Sequence, residues 1–120
     1  MRKPVTHVID DDAALRESFE VLLELLEIKV HSYSSAEEFL RCAAPMPNDC
    51  LIIDVDMPGT SGVDLLDQLR TDGIIIPALF VTGGRVTEDL RSTADRLGAA
   101  LFEKPLLPEE LISAVRQALG

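Results

Sequence analysis

"CLIIDVDMPGTSG", residues Cys50 to Gly62, is the stretch of this 120-residue chain that decides its fold. It begins with a continuous apolar run, which is typical of a parallel strand covered by helices on both faces. Asp54 stands near the end of that run, and the Met-Pro-Gly that follows breaks it. Ser61 and Asp64 then have the spacing of a helix-capping pair. The stretch therefore predicts a buried strand, a loop and a helix.

The same order of apolar run and helical pattern recurs on both sides of this stretch. Runs with the composition of strands lie at residues 5–9, 28–33, 50–55, 74–82 and 99–104. Helices are predicted after them, at about residues 13–27, 36–43, 62–71, 86–97 and 108–119. Five alternating units predict an α/β fold, a doubly wound parallel sheet of the flavodoxin-like (βα)5 type with strand order 2-1-3-4-5.

Length and composition fit a single domain that covers residues 1–120. The chain is 47% hydrophobic and carries a formal net charge of −10. That charge argues against direct nucleic-acid binding by this domain, because phosphate contacts need lysine and arginine. No apolar run approaches the roughly 18 residues of a membrane span, and the N-terminus lacks the apolar core of a signal peptide. We therefore expect no membrane contact and a cytoplasmic location, with Cys42 and Cys50 as reduced thiols.

Residues with charged or hydroxyl side chains stand at the carboxyl ends of four predicted strands. Asp10 and Asp11 follow the first strand, Asp54 the third, Thr82 the fourth and Lys104 the fifth. The first and third strands flank the point where the strand order reverses, which is where such sheets bind their ligands. We therefore expect the three aspartates to be neighbours in space, with the hydroxyl and the ammonium group at their rim.

Crowded carboxylates of this kind are suited to a hard divalent cation such as Mg²⁺. Lys104 would offset one negative charge and pair with a phosphoryl group, and the Thr82 hydroxyl could bond the oxygens of that group. Asp54 is then the natural nucleophile for an aspartyl phosphate. Asp10 and Asp11 taken alone are also compatible with a simple turn. Asp12 lies just before a helix, where an aspartate is a strong N-cap.

Four motifs are informative because of their order and spacing along the chain: "VIDDD", "LIIDVDMPGTSGVDLL", "ALFVTGG" and "FEKP". Together they resemble the receiver domain of response regulators in two-component systems, over residues 4–119. The pattern D-x-x-M-P-x-x-S-G that starts at Asp54 is the most specific of them. The stretches "YSSAEEFL" and "VTGG" are most similar to FixJ-type regulators.

The resemblance implies a role in phosphorelay signal transduction. A histidine kinase or phosphotransfer protein would supply the phosphoryl group, and Asp54 would accept it with Mg²⁺ as cofactor. Asp11, Asp54 and the backbone carbonyl of Asp56 would hold the metal, with Asp10 in support. Lys104 would pair first with Asp54 and then with the phosphate.

The resemblance also implies a conformational switch in which Thr82 moves to bond the phosphate. Many receivers carry an aromatic switch residue three positions before the lysine, whereas this chain has Leu101 there and Phe102 beside it on the opposite face of the strand. We therefore expect the coupling between threonine and aromatic ring to be altered. Asp56 adds a carboxylate at the mouth of the site. One hypothesis is that it tunes metal affinity and phosphoryl lifetime, and the alternative is a solvated loop residue.

By the same resemblance, the chain is a signalling domain rather than an enzyme, with self-catalysed phosphotransfer and slow autodephosphorylation. Phosphorylation would switch a partner-binding face. Related domains dimerise or bind output modules through the face of helix 4, strand 5 and helix 5. Both an output domain beyond the C-terminus and a stand-alone receiver are compatible with the sequence.

Two other functions fit parts of the sequence. "IIDVDMPGT" also resembles the first motif of haloacid-dehalogenase-type phosphatases, in which an Asp-x-Asp pair supplies a nucleophile and an acid or base. Those enzymes place the nucleophile strand first and the acidic metal pair last, whereas here Asp10 and Asp11 precede Asp54. A receiver-like interaction module that works without phosphorylation is the second alternative, and Leu101 keeps it open.

Overall fold

The computed structural model describes residues 2–120, in which five strands alternate with five helices. The strands are β1 (Val5–Ile9), β2 (Lys29–Tyr33), β3 (Cys50–Asp54), β4 (Ala78–Thr82) and β5 (Ala99–Glu103). The helices are α1 (Ala13–Leu25), α2 (Ala36–Cys42), α3 (Gly62–Thr71), α4 (Glu88–Leu97) and α5 (Pro108–Leu119). The predicted alternation is therefore confirmed. None of the helices in this part of the chain has the length and apolar character that a membrane span requires.

The strands form one sheet in the order β2-β1-β3-β4-β5, and all neighbouring pairs are parallel. At its centre, Ile53 of β3 is in register with Ile9 of β1 and Phe80 of β4. The predicted strand order and the doubly wound flavodoxin-like class are thus confirmed. The order reverses between β1 and β3, so the residues that follow these two strands lie side by side.

Helices cover both faces of the sheet. Leu51 and Ile53 of β3 pack in a core cluster with Phe39 of α2 and with residues of α3 and α4. Cys50 and Ile52 pack on the opposite face, in a cluster with residues of α1 and α5. Burial on both faces explains why β3 has a continuous apolar run instead of an alternating pattern.

Side-chain caps begin the helices where the sequence predicts them. The Asp12 carboxylate accepts hydrogen bonds from the backbone N–H groups of Ala14 and Leu15, at 3.0 and 3.2 Å. Its predicted role as N-cap of α1 is therefore confirmed. The hydroxyl of Ser61 accepts from the N–H of Asp64 at 3.1 Å and caps α3 in the same way.

Some predicted boundaries differ from the structure. α1 ends at Leu25, two residues early, because Glu27 adopts a left-handed conformation with a φ of 62° that closes the helix. β4 begins at Ala78 rather than at residue 74, since Pro77 offers no backbone N–H to a neighbouring strand. α4 begins at Glu88, two residues late, because the residue before it acts as the cap.

A buried polar cluster lies at the amino-terminal edge of the sheet, and the sequence patterns do not predict it. The fully buried carboxylate of Asp49 accepts hydrogen bonds from the side chains of Arg2 and His7, at 2.8 and 2.9 Å. The backbone N–H groups of Val5 and Met46 also donate to it, both at 2.9 Å. Burial opposes the ionisation of Asp49, but these donors outweigh it and hold its pKa well below the ordinary value. The cluster ties the start of β1 to the start of β3.

Candidate functional site

Three aspartates meet at the carboxyl-terminal edge of the sheet, where the strand order reverses. Asp10 directly follows β1, Asp54 ends β3, and Asp11 lies in the loop to α1. Asp10 and Asp54 are only 2% and 3% exposed, whereas Asp11 is exposed. Each residue offers a carboxylate oxygen that lies within 4.8 Å of those of the other two. The structure thus brings together the three acids that the strand-end pattern groups.

Local backbone hydrogen bonds orient the two buried carboxylates. The N–H of Asp12 donates to Oδ1 of Asp10 at 2.9 Å, and the N–H of Asp56 donates to Oδ1 of Asp54 at 3.2 Å. In each case the aspartate accepts from the residue two positions on, in a turn that aspartate favours. Arg16 adds a bond of 2.7 Å to the backbone carbonyl of Asp10. The turns that leave β1 and β3 therefore hold the acids in place.

Lys104 reaches the acidic cluster from the end of β5. Its Nζ lies 3.2 Å from Oδ2 of Asp10 and 3.4 Å from Oδ1 of Asp54. The backbone N–H of Lys104 donates to the carbonyl of Thr82 at 2.8 Å, so the pairing of β4 with β5 continues into the site. The ammonium group therefore bridges the two buried carboxylates, as expected for a lysine that offsets their charge.

The cluster carries more negative charge than one lysine neutralises. Burial raises the pKa of Asp54 to about 6, and repulsion from Asp10 adds to the rise, which Lys104 opposes only in part. Burial by itself would lower the pKa of Lys104, but attraction to the two carboxylates outweighs it and raises that pKa. The lysine is therefore charged at neutral pH. The exposed side of the cluster fits a divalent cation, since carboxylate oxygens suit Mg²⁺ and the added charge would relieve the repulsion.

Thr82 ends β4 beside this cluster and is 2% exposed. Its hydroxyl donates to Oδ2 of Asp56 at 2.9 Å and accepts from the backbone N–H of Gly84 at 3.0 Å. Asp56 is predicted to join the site through its backbone carbonyl, and in the structure its side chain also contacts Thr82. No local pattern reveals this contact, because the loop that carries Asp56 and the end of β4 that carries Thr82 come together only in the fold.

The loop after β3 is packed closely against Asp54. A Cβ atom at Gly62 would lie 2.2 Å from the backbone carbonyl oxygen of Asp54 and 2.8 Å from the side chain of Ile53. The N–H of Gly62 donates to the carbonyl of Val55 at 3.2 Å. Only glycine fits at this position, so the first turn of α3 sits directly against the end of the strand that carries Asp54.

Glu37 holds the same loop from the other side. Its carboxylate accepts a hydrogen bond from the backbone N–H of Thr60 at 3.0 Å, so α2 is tied to the loop that contains Asp56. This role of Glu37 cannot be predicted from the sequence, since its position in the first turn of α2 is also typical of a capping partner. In the structure, Glu38 is the capping partner instead, and its carboxylate accepts hydrogen bonds from the N–H and the hydroxyl of Ser34.

The expected switch position, Leu101, lies on β5 and packs partly buried against the cluster that includes α3 and α4. Phe102 packs against the cluster on the opposite face, with α1 and α5. The side chains therefore face opposite ways, as the alternation along a strand predicts. Phe102, on the α5 side of the sheet, therefore cannot substitute for an aromatic side chain at position 101, on the α4 side, unless β5 changes its conformation.

Comparisons with known proteins all indicate one family. The family model described as "Response regulator receiver domain" matches residues 6–116. The transcriptional regulatory protein FixJ of Azorhizobium caulinodans is 44% identical over 116 residues, which are 95% of this chain and 54% of that protein. The response regulator protein TodT of Pseudomonas putida is 38% identical over 120 residues, which are 98% and 52% of the two chains. This chain therefore spans about half the length of the curated relatives it matches.

Solved structures show the same similarity. The crystal structure of FixJ-N has a TM-score of 0.85 and 32% identity, and covers 99% of this chain and 95% of that one. The response regulator StyR has a TM-score of 0.88 and 35% identity, over 98% of this chain and 60% of its own. These matches give no support to the phosphatase alternative. The predicted resemblance is thus confirmed, and the chain belongs to the response regulator receiver domain family.

Proposed function

We propose that this receiver domain accepts a phosphoryl group on Asp54 and passes the signal on through a change of conformation. The observation that carries the proposal is the convergence of three carboxylates and one lysine, with Lys104 Nζ 3.4 Å from Asp54 and 3.2 Å from Asp10. Asp54 ends the central strand β3, which lies in the sheet between the strand that precedes the other two acids and the strand that precedes the lysine. It is therefore the residue best placed to act as the nucleophile.

The phosphodonor in this proposal is the phosphohistidine of a kinase or of a phosphotransfer protein. A carboxylate oxygen of Asp54 attacks the phosphorus atom, the phosphorus–nitrogen bond breaks, and the imidazole leaves and takes up a proton. Lys104 pairs with the transferred group, and Thr82 later bonds one of its oxygens. Phosphoryl transfer depends mainly on positioning and on neutralisation of charge, and both are what these residues supply.

Asp11, Asp54 and the backbone carbonyl of Asp56 would hold Mg²⁺, with Asp10 in support through its contact with Lys104. When bound, the ion supplies positive charge that stabilises the transferring phosphoryl group. The raised pKa of Asp54, which burial and the charge of Asp10 cause, supports a cation at this position. EDTA should therefore abolish phosphorylation, and added Mg²⁺ should restore it.

The proposal extends to partners and location. We infer that a face made of α4, β5 and α5 is where phosphorylation is sensed, by an output domain, a separate protein or a second copy of the chain. The relatives named as FixJ and TodT are about twice as long as this chain, which supports an output domain in the whole protein. A cytoplasmic location is consistent with a kinase as phosphodonor and with the free thiols of Cys42 and Cys50.

Intact-protein mass spectrometry after incubation with acetyl phosphate and Mg²⁺ tests the proposal. The wild type should gain the mass of one phosphoryl group, and Asp54→Asn should gain nothing. Asp64→Asn, which removes an exposed acid of α3, is the matched control and should behave as the wild type. An inert wild type would favour an interaction module that works without phosphorylation. Steady multiple turnover on p-nitrophenyl phosphate would instead favour a phosphatase.

A further inference from the structure

The hydroxyl of Thr82 has both of its hydrogen-bonding functions occupied in the structure. It donates to Oδ2 of Asp56 at 2.9 Å and accepts from the N–H of Gly84 at 3.0 Å. A hydroxyl has one proton, so it can donate to one acceptor at a time. Thr82 is 2% exposed, so solvent has little access to it. While its proton points to Asp56, it is not available to another acceptor.

The partner of Thr82 is the carboxylate of Asp56, an exposed residue whose Oδ2 meets the buried hydroxyl. A hydrogen bond to a charged acceptor is stronger than one between neutral groups. The backbone around Asp56 is held in place. The N–H of Asp56 donates to Asp54 at 3.2 Å, and the next residue, Met57, is buried. The Asp56 carboxylate therefore reaches Thr82 from a loop that is anchored at the site itself.

We propose that the carboxylate of Asp56 is a latch that holds Thr82 in its resting position and that a phosphoryl group on Asp54 must displace. The inference rests on the proposed function, because the phosphoryl oxygens on Asp54 are the acceptors that would compete with Asp56 for the Thr82 hydroxyl. Every molecule that switches has to break the bond between Thr82 and Asp56 before Thr82 can donate to the phosphate. The latch thus shifts the equilibrium toward the resting conformation and raises the threshold for signalling. Asp56 is a positioning residue, since it acts through Thr82.

This role can be separated from an effect of the Asp56 charge on the metal ion or on hydrolysis. A carboxylate that acts through its charge alone does so whether or not residue 82 carries a hydroxyl. A latch requires the hydroxyl, so its effect must disappear in a Thr82→Val background, where the shape is kept and the donor is lost. A double-mutant cycle measures this difference directly.

The rotamer of Thr82 in the resting domain provides the first test, and it needs no phosphodonor. Three-bond NMR couplings to the Thr82 methyl carbon should report one rotamer in the wild type and averaged values in Asp56→Ala. Asp56→Asn should lie closer to the wild type, because its amide oxygen still accepts a hydrogen bond. Asp64→Asn should have no effect. An unchanged single rotamer in Asp56→Ala would overturn the latch, even if Asp54 is phosphorylated as proposed.

The second test uses beryllium trifluoride, an analogue of the phosphoryl group, at saturating Mg²⁺. Asp56→Ala should bind it roughly three- to tenfold more tightly than the wild type, as the loss of one competing hydrogen bond implies. The same substitution in Thr82→Val should leave the affinity unchanged. An equal gain in both backgrounds would identify a pure charge effect and overturn the latch. If no variant binds the analogue, the proposed acceptor function fails, and the rotamer measurement decides the latch by itself.

Discussion

Replacing Asp54 with asparagine should make the metal-free domain more stable at neutral pH. Burial and the charge of Asp10 raise the pKa of Asp54 from an ordinary 3.8 to about 6. At 1.36 kcal/mol per pKa unit, ionisation of Asp54 at pH 7 costs the folded state about 3 kcal/mol. Asparagine avoids this cost, which already includes the opposing attraction to Lys104. We therefore expect Asp54→Asn to raise the free energy of unfolding by about 1–3 kcal/mol.

The dependence of this gain on pH has a definite sign. Folded Asp54 holds its proton more tightly than the unfolded chain does, so the stability it contributes is complete below pH 3.8 and is lost as the pH rises through about 6. The advantage of Asp54→Asn should therefore be small near pH 4 and fully developed at pH 7.

Urea denaturation followed by circular dichroism, in EDTA at both pH values, measures this gain. Asp64→Asn controls for the loss of one exposed carboxylate and should lower the stability by less than about 1 kcal/mol, because Asp64 lies in the first turn of α3. Mg²⁺ should stabilise the wild type more than Asp54→Asn, because ligand that binds only the folded state adds to stability. An Asp54→Asn domain that is no more stable than the wild type at pH 7, or a gain that is equal at both pH values, would contradict an electrostatic cost of ionising Asp54.

Three further substitutions test other parts of the account. Gly62→Ala should lower the free energy of unfolding by about 1–3 kcal/mol or more, because its Cβ would lie 2.2 Å from the Asp54 carbonyl oxygen; unchanged stability in urea would contradict that packing. Asp49→Ala should cost about 2–5 kcal/mol, since it leaves the buried His7 and the N–H groups of Val5 and Met46 without their acceptor. The pKa of Asp49 is lowered, so the stability it provides is present above pH 3.8 and is lost in acid; acid titrations of the wild type and Asp49→Ala should therefore converge at low pH. Lys104→Ala should slow phosphorylation by acetyl phosphate about 100-fold or more, as the loss of a charge that stabilises the transition state implies, and an unchanged rate by mass spectrometry would remove Lys104 from the reaction.

The features that could be predicted from the sequence have local causes or follow from the topology. The apolar run that starts at Cys50 shows a strand buried on both faces, and Asp12 caps α1 because its donors are the residues that follow it. The positions of Asp10 and Asp54 follow from the strand order, since the ends of parallel neighbours share one edge. The start of β4 differs from the prediction because the apolar residues 74–77 precede the strand, although the N–H of Leu51 still donates to the carbonyl of Pro77.

The features that could not be predicted are side-chain contacts between segments that are distant in the chain. Asp49 bonds His7, and Asp56 bonds Thr82, across separations that carry no periodic pattern. An aspartate in a loop has the same appearance in the sequence whether it is solvated or buried. The contact between Asp56 and Thr82 depends on how the loop after β3 packs against the end of β4, and that packing depends on the whole fold.

Chemical trapping of the phosphorylated residue tests the central claim most directly. Borohydride reduces an aspartyl phosphate to homoserine, and tandem mass spectrometry of the proteolysed domain identifies the position that changed. After incubation with acetyl phosphate and Mg²⁺, homoserine should replace Asp54, and it should be absent when EDTA is present. Homoserine at Asp10, Asp11 or Asp56, or its absence from every position, would contradict the assignment of Asp54 as the phosphoryl acceptor.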